Sequence, residues 1–166
     1  VKAMSNKILV TGGAGYIGSH VVRMLTSAGQ SVVVLDNLST GFADAVKGAE
    51  MIVGDTGDQV LVSKLLKEHE VETVIHFAAH TIVPESVENP LKYYGNNTCC
   101  TRSLLECCSA AGVKHFIFSS TAAVYGIPDG PECTEESPLS PINPYGTSKL
   151  MSEMMLRDLG LATDMR

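Results

Sequence analysis

A phenol and an ammonium lie four residues apart in the run Tyr145-Gly146-Thr147-Ser148-Lys149, and residues at i and i+4 share one face of a helix. Upstream, Ser119-Ser120-Thr121 supplies a cluster of hydroxyls. Together these groups suit proton transfer to and from an alcohol. A phenol titrates near pH 10 and is a poor base at neutral pH, so making it basic near pH 7 takes roughly 4 kcal/mol of preference for the phenolate. One positive charge at ~4 Å and an effective dielectric of ~20 supplies about that much before desolvation opposes it. Lys149 is placed to provide that charge, Tyr145 to take the proton, and Thr121 to hold the substrate oxygen. A Y-x-x-x-K spacing alone recurs by chance in many helices, so its meaning depends on what surrounds it.

What surrounds it begins at Lys7-Ile8-Leu9-Val10-Thr11-Gly12-Gly13-Ala14-Gly15-Tyr16-Ile17-Gly18-Ser19-His20. An apolar run stops at a glycine cluster, and an amphipathic segment (Val21, Val22, Met24, Leu25) follows at once, which predicts strand, tight turn, helix. Gly13, Gly15 and Gly18 have the spacing of a dinucleotide-binding turn: one glycine for the turn, one for close backbone approach to a pyrophosphate, one for helix–strand packing. The helix N-terminus adds free N–H groups and a positive dipole end. Asp36 closes the next apolar run (Val32-Val33-Val34-Leu35), eighteen residues beyond Gly18. A carboxylate there accepts the ribose hydroxyls of NAD and repels the extra phosphate of NADP. Bound NAD+ would add the positive charge of its nicotinamide to that of Lys149, and Tyr145 would take a hydroxyl proton as hydride leaves the same carbon.

The intervening chain must carry these groups to one place. The apolar runs predict further strands at Glu50–Asp55, Glu72–Phe77 and His115–Ser120. Helical spacing runs from Asp58 to His69, from Leu91 to Ala111 with Gly112 as C-cap, and from Pro144 to Leu159 with Gly160 as the stop. Continuous apolar strands alternating with helices predict a parallel α/β sheet, doubly wound in the Rossmann manner, in the order 3-2-1-4-5. The strand ends Thr11, Asp36, Asp55, His76 and Ser119 should then line one edge. The stretch Pro128–Pro144 contains five prolines and reads as an active-site loop. His76 and His80 read as strand-end or cofactor-wall residues, and His20, His69 and His115 as structural or solvent-facing.

The 166 residues suit one domain, with 45% hydrophobic and 18% charged residues. Net charge is −6 without charged blocks, which points away from nucleic acid and anionic membranes. No apolar run approaches a bilayer span, and a cytoplasmic protein is the default. The five cysteines fit neither a zinc nor a C-x-x-C spacing and read as buried small apolar side chains, with no metal site. The chain starts at Val1, with Met4 nearby, and stops at Arg166 where a parallel sheet would take its next strand, leaving an apolar sheet edge. It reads as a piece of something longer: one dinucleotide-binding domain, residues 1–166, with no separate substrate domain.

By this point the chain resembles the extended short-chain dehydrogenase/reductase family, in its branch of UDP-sugar 4-epimerases. Beyond the glycine turn, the blocks that carry the likeness are His76-Phe77-Ala78-Ala79, Pro84-Glu85-Ser86 with Pro90-Leu91-Lys92-Tyr93-Tyr94-Gly95-Asn96-Asn97, and Phe118–Gly126 with Pro144–Lys149. The resemblance implies that Gly12, Gly15, Gly18, Tyr16 and Ile17 lie on the pyrophosphate. It sets Asp36, Asn37, Ser39, Thr40 and Gly41 at the adenosine ribose and Asp55 and Thr56 at the adenine. Phe77, Ala78, Ala79, Thr81 and Asn96 would line the cofactor beside Tyr145 and Lys149. It also implies a UDP-sugar substrate, a homodimer, and 4-epimerisation of a UDP-hexose (UDP-glucose/UDP-galactose) through a 4-keto sugar, with Thr121, Tyr145 and Lys149 as the catalytic set. The related 4,6-dehydratases carry acidic residues after the hydroxyl residue. Here Ala122 and Ala123 stand there and transfer no proton. Two departures are visible: Thr81 stands where some epimerases have Lys, and Cys99-Cys100 replaces a polar-then-glycine pair. An epimerase of another UDP-sugar and an inactive NAD-binding fragment remain as alternatives.

Overall fold

The computed structural model describes residues 7–128, 130 and 132–166. The reading of the first residues, and of Asp129 and Pro131 in the proline-rich loop, lies outside the described residues. Five parallel strands form one sheet in the order β3-β2-β1-β4-β5, as the sequence predicts. They are β1 (Lys7–Thr11), β2 (Val32–Asp36), β3 (Glu50–Val53), β4 (Val71–His76) and β5 (His115–Phe118). Side chains alternate across each strand and feed two cores. Leu9, Val33, Leu35 and Val74 face α2 (Gln59–Glu68), α5 (Cys100–Ala111) and α6 (Pro144–Ala162). Val10, Val34 and Ile75 face α1 (Tyr16–Ser27) through Val22. Both faces are covered, which is why strands β1 and β2 are apolar without alternation.

Several boundaries differ from the sequence reading. Strands β3, β4 and β5 end at Val53, His76 and Phe118, so Gly54-Asp55, Phe77 and Ser119-Ser120 already belong to the loops that follow. Helix α6 passes through Gly160 to Ala162. Its last turn is held from beyond: Thr163 Oγ1 donates to the Leu159 carbonyl, and the Arg166 guanidinium donates to the carbonyls of Gly160 and Thr163. Arg166 also lies along β5, its N–H donating to Lys114 O and its own carbonyl accepting from Phe116 N–H, both at 2.8 Å. That stretch of the sheet edge is therefore paired, and Met165 is buried in the core. Cys107 and Cys108 are buried as expected, but Cys99 and Cys133 are exposed. No described helix is long and apolar enough to cross a membrane.

The segment read as one helix from Leu91 is three pieces: α4 (Pro90–Tyr93), a π turn (Tyr94–Cys99) and α5, preceded by the short α3 (Val83–Glu88). The π turn leaves the Asn97 carbonyl free to accept from two hydroxyls, Thr101 Oγ1 at 2.7 Å and Ser152 Oγ of α6 at 3.0 Å. Because Thr101 spends its proton there, its oxygen accepts from His76 Nε2 at 2.9 Å. His76 Nδ1 is then the bare nitrogen and accepts from the Thr11 hydroxyl. A neutral imidazole thus ties β1, β4 and the π turn together, and burial, with Lys149 nearby, holds its pKa down at about 3.

That low value makes the fold acid-sensitive. Unfolded His76 takes a proton near pH 6.5 and folded His76 does not, so stability falls as pH drops from about 6.5 towards 3, by about 3 kcal/mol at pH 4.5 from this residue. His76→Gln, which keeps one donor and one acceptor, is expected to flatten the slope over that window. Urea titrations at pH 7 and pH 4.5 measure it; equal slopes in both proteins would refute the assignment.

Candidate functional site

The C-terminal ends of the strands open onto a cleft of about 340 Å³, the position at which ligands bind in open α/β sheets. Its floor is the turn between β1 and α1. Gly12 sits at φ +68°, and a Cβ there would lie 2.6 Å from the Ala78 nitrogen, so the turn and the small residues after β4 are in backbone contact. Gly18 packs its Cα against the Gly12 carbonyl with no room for a Cβ. Helix α1 follows Gly15, an N-cap that offers no side chain, and has no acidic residue in its first turn. Its N–H groups and dipole are left for something else, beside exposed Tyr16 and Ile17. Gly18→Ala is expected to destabilise the chain by about 1–3 kcal/mol and to weaken NAD binding at least about tenfold, read by thermal melts and calorimetric titration. A variant with unchanged affinity would remove the turn from the site.

At the far end, Asp36 is 8% exposed. Its carboxylate accepts from Ala14 N–H at 2.9 Å and from Leu38 N–H at 2.8 Å. The second bond closes a tight turn that holds Leu38 in the left-handed region at φ +58°. Each oxygen keeps a lone pair for a ligand. Asn37 Nδ2 donates to Asp55 Oδ2 at 3.0 Å, while Asp55 Oδ1 accepts from Gly57 N–H at 2.8 Å. Asn37, Asp55 and Thr56 therefore form one wall with Ser39 and Thr40.

The opposite wall holds Phe77, Ala78, Ala79, Thr81 and Asn96, and the cleft ends at Tyr145 and Lys149. Helix α6 begins with Asn143 as N-cap, its side chain accepting from Gly146 N–H at 2.8 Å, and with Pro144 in the first turn. This start fixes the phase of the helix, so that Tyr145 and Lys149 face the cleft together. Lys149 is 3% exposed and donates to the Ser119 carbonyl at 2.7 Å; burial pushes its pKa down to about 8, with Glu153 opposing. Tyr145 meets the buried Tyr93 edge-on, ring centroids 6.4 Å apart. Tyr93 is itself held by Ile82 and by Glu85 Oε2 at 2.8 Å.

Two expected site residues adjoin the cleft without lining it. Gly41 backs the cleft rather than lining it, its Cα against Ala14. Thr121 is outside the lining, and its Oγ1 accepts from Ala123 N–H at 3.2 Å as the cap of a 3-10 turn. Thr11 and His76, read as strand-end residues of this edge, are buried beneath it. The cleft does take in Ser119 and Ser120 of the hydroxyl cluster and His80, read as a strand-end or cofactor-wall residue. Asn97, quoted in the sequence only as part of the Pro90–Asn97 block, has no role in the site on that reading. It is 1% exposed, accepts from His80 N–H at 2.8 Å, and donates to His80 O at 2.9 Å and Ser148 Oγ at 3.1 Å. It locks the loop after β4 to the helix that carries Tyr145. Its sequence signal is two adjacent polar residues in the middle of an otherwise amphipathic run.

Known proteins resemble this chain in sequence and in fold. The UDP-glucose 4-epimerase of Azospirillum brasilense is 51% identical over 165 residues, covering 99% of this chain and 47% of the relative. That of Bacillus subtilis (strain 168) is 48% identical over 163 residues, covering 93% and 48%. Among solved structures, UDP-glucose 4-epimerase from Brucella ovis in complex with NAD superposes with a TM-score of 0.95 at 45% identity, over 97% of this chain and 50% of that one. The enzyme from Bifidobacterium longum in complex with NAD+ and UDP gives 0.91 at 40% identity, over 94% and 49%. The chain spans about half the length of the relatives it matches. Its residues 8–166 match the NAD dependent epimerase/dehydratase family throughout, and the chain belongs to that family.

Proposed function

We propose that this chain is the NAD-binding and acid–base half of a UDP-hexose 4-epimerase acting on UDP-glucose and UDP-galactose. The observation that carries the reading is that Tyr145 and Lys149 end the same cleft that the glycine turn and Asp36 begin. The residues fit NAD. The uncapped start of α1 suits a pyrophosphate, and the Asp36 carboxylate retains acceptors for a ribose diol while repelling a 2′-phosphate. NAD+, when bound, would supply the hydride acceptor and donor.

Tyr145 accepts the proton from the sugar O4 as hydride leaves C4, and returns it when hydride is delivered to the other face of the 4-keto sugar. Lys149, seated on the Ser119 carbonyl, is the buried cation that favours the phenolate. Thr121, Ser119 and Ser120 are the hydroxyls near that end, and Thr121 holds O4 after turning from its cap. Ala122 and Ala123 offer no acid for loss of water from the ketone.

The test is conversion of UDP-galactose to UDP-glucose by this chain with NAD added, followed by chromatography of the nucleotide sugars. Turnover supports the reading and shows that residues 1–166 suffice. Absence of turnover with NAD bound would make this chain a cofactor-binding fragment.

A further inference from the structure

Two successive residues after β5 are tied to two successive turns of α6. The Ser119 carbonyl accepts from Lys149 Nζ, and the Ser120 hydroxyl donates to Glu153 Oε1. Lys149 and Glu153 are one helical turn apart, so both reach this loop from the same face of α6. The tyrosine–lysine spacing requires no carboxylate here. Yet Ser120 lines the cleft, and the next residue, Thr121, opens the 3-10 turn Ala122–Val124. The place where the hydroxyl run starts is thus set by the clamp on Ser119 and Ser120.

The surroundings of the Lys149 ammonium sharpen the point. On β5 it meets the face of Phe118, 4.6 Å from the ring centroid. On β4 it has His76, neutral in its hydrogen-bonded tautomer. On α6 itself it has Glu153, one turn further along the same face. Among these groups Glu153 is the one that brings a negative charge.

We propose that Glu153 is a positioning residue of this site, holding Ser120 through its carboxylate while keeping the Lys149 ammonium charged and seated on the Ser119 carbonyl. The proposal rests on the reading of Tyr145 and Lys149 as the acid–base pair. Burial pushes the Lys149 pKa down and Glu153 opposes the shift, which agrees with that role. A lysine that lost its proton would bring no charge to the phenol.

The test compares the wild-type chain with Glu153→Gln and Ser120→Ala, all without cofactor or substrate. Glu153→Gln keeps an acceptor for Ser120 and removes the charge. Its Lys149 midpoint, followed by NMR of ¹³C-labelled lysine, is expected to fall by about one pH unit. Ser120→Ala keeps the charge and releases the loop, so amide exchange at residues 119–121 is expected to rise about tenfold. An unmoved midpoint in the first variant, or unchanged exchange in the second, overturns the proposal. Neither measurement needs turnover, so failure of the chain to epimerise UDP-galactose would count against the proposed function alone.

Discussion

Tyr145→Phe is expected to slow the NAD-dependent interconversion of UDP-galactose and UDP-glucose by about 10³-fold, with NAD affinity changed less than about twofold. The substitution removes one oxygen and keeps the ring. Packing on Tyr93, edge-on at 86°, needs only the ring, and the first turn of α6 is fixed by Asn143 and Pro144. The floor and the Asp36 end of the cleft are untouched. The loss should therefore fall on kcat and leave cofactor binding alone. Rates by stopped assay and affinity by calorimetry decide it. Retained turnover would move the base elsewhere, and His80, on the same wall, would be the next candidate. Burial, followed by the charge of Lys92, holds the pKa of that imidazole below its usual value, so it would be a weak base.

Lys149→Met is expected to cost about 10²-fold or more in turnover while making the protein more stable at neutral pH. An ammonium that titrates at about 8 rather than 10.5 is held in the fold at a cost of about 3 kcal/mol. Methionine fills much the same volume without that cost. The Ser119 carbonyl then loses its partner, a penalty of about 1 kcal/mol, leaving a net gain of about 2 kcal/mol. The sign carries a pH signature. Below about pH 8 both folded and unfolded wild type are protonated and the cost is complete. Between 8 and 10.5 the unfolded chain holds more protons, so wild-type stability rises with pH relative to the variant. Denaturant curves at pH 7 and pH 10 read the convergence. A variant no more stable than wild type at pH 7 would mean that the buried ammonium costs the fold nothing.

The sheet was legible in the sequence because each strand is a continuous apolar run closed by a polar or glycine residue. Parallel order then follows from the alternation with helices. The Asp36 end of the cleft was legible for the same reason: Asp36 terminates its run at the distance that one βαβ unit imposes. What escaped was written in contacts between distant segments. Six residues at Val83–Glu88 are too few to show a period. Gly160 looks like a stop until Arg166 supplies partners for the last carbonyls of α6. The partnership of Ser120 with Glu153 joins residues 33 apart. Cys99, in the π turn, and Cys133, in the proline-rich loop, are exposed, because composition alone does not say which side of an element a cysteine takes. Thr121 was read from its position in a run of hydroxyls, but in the fold its oxygen serves the backbone first.

The π turn at Tyr94–Cys99 amounts to one residue more than an α-helix would use. Removing any one of those six residues would restore unbroken α-helical bonding, an outcome that local propensity favours. It would also rotate everything downstream by about 100°, turning Leu104 and Cys108 away from a core in which both are fully enclosed. It would equally shift Asn97 or Thr101 out of register with His76 and Ser152. At this point the chain keeps an insertion that an isolated helix would discard. Its numbering here is a phase, set by the sheet on one side and by α6 on the other.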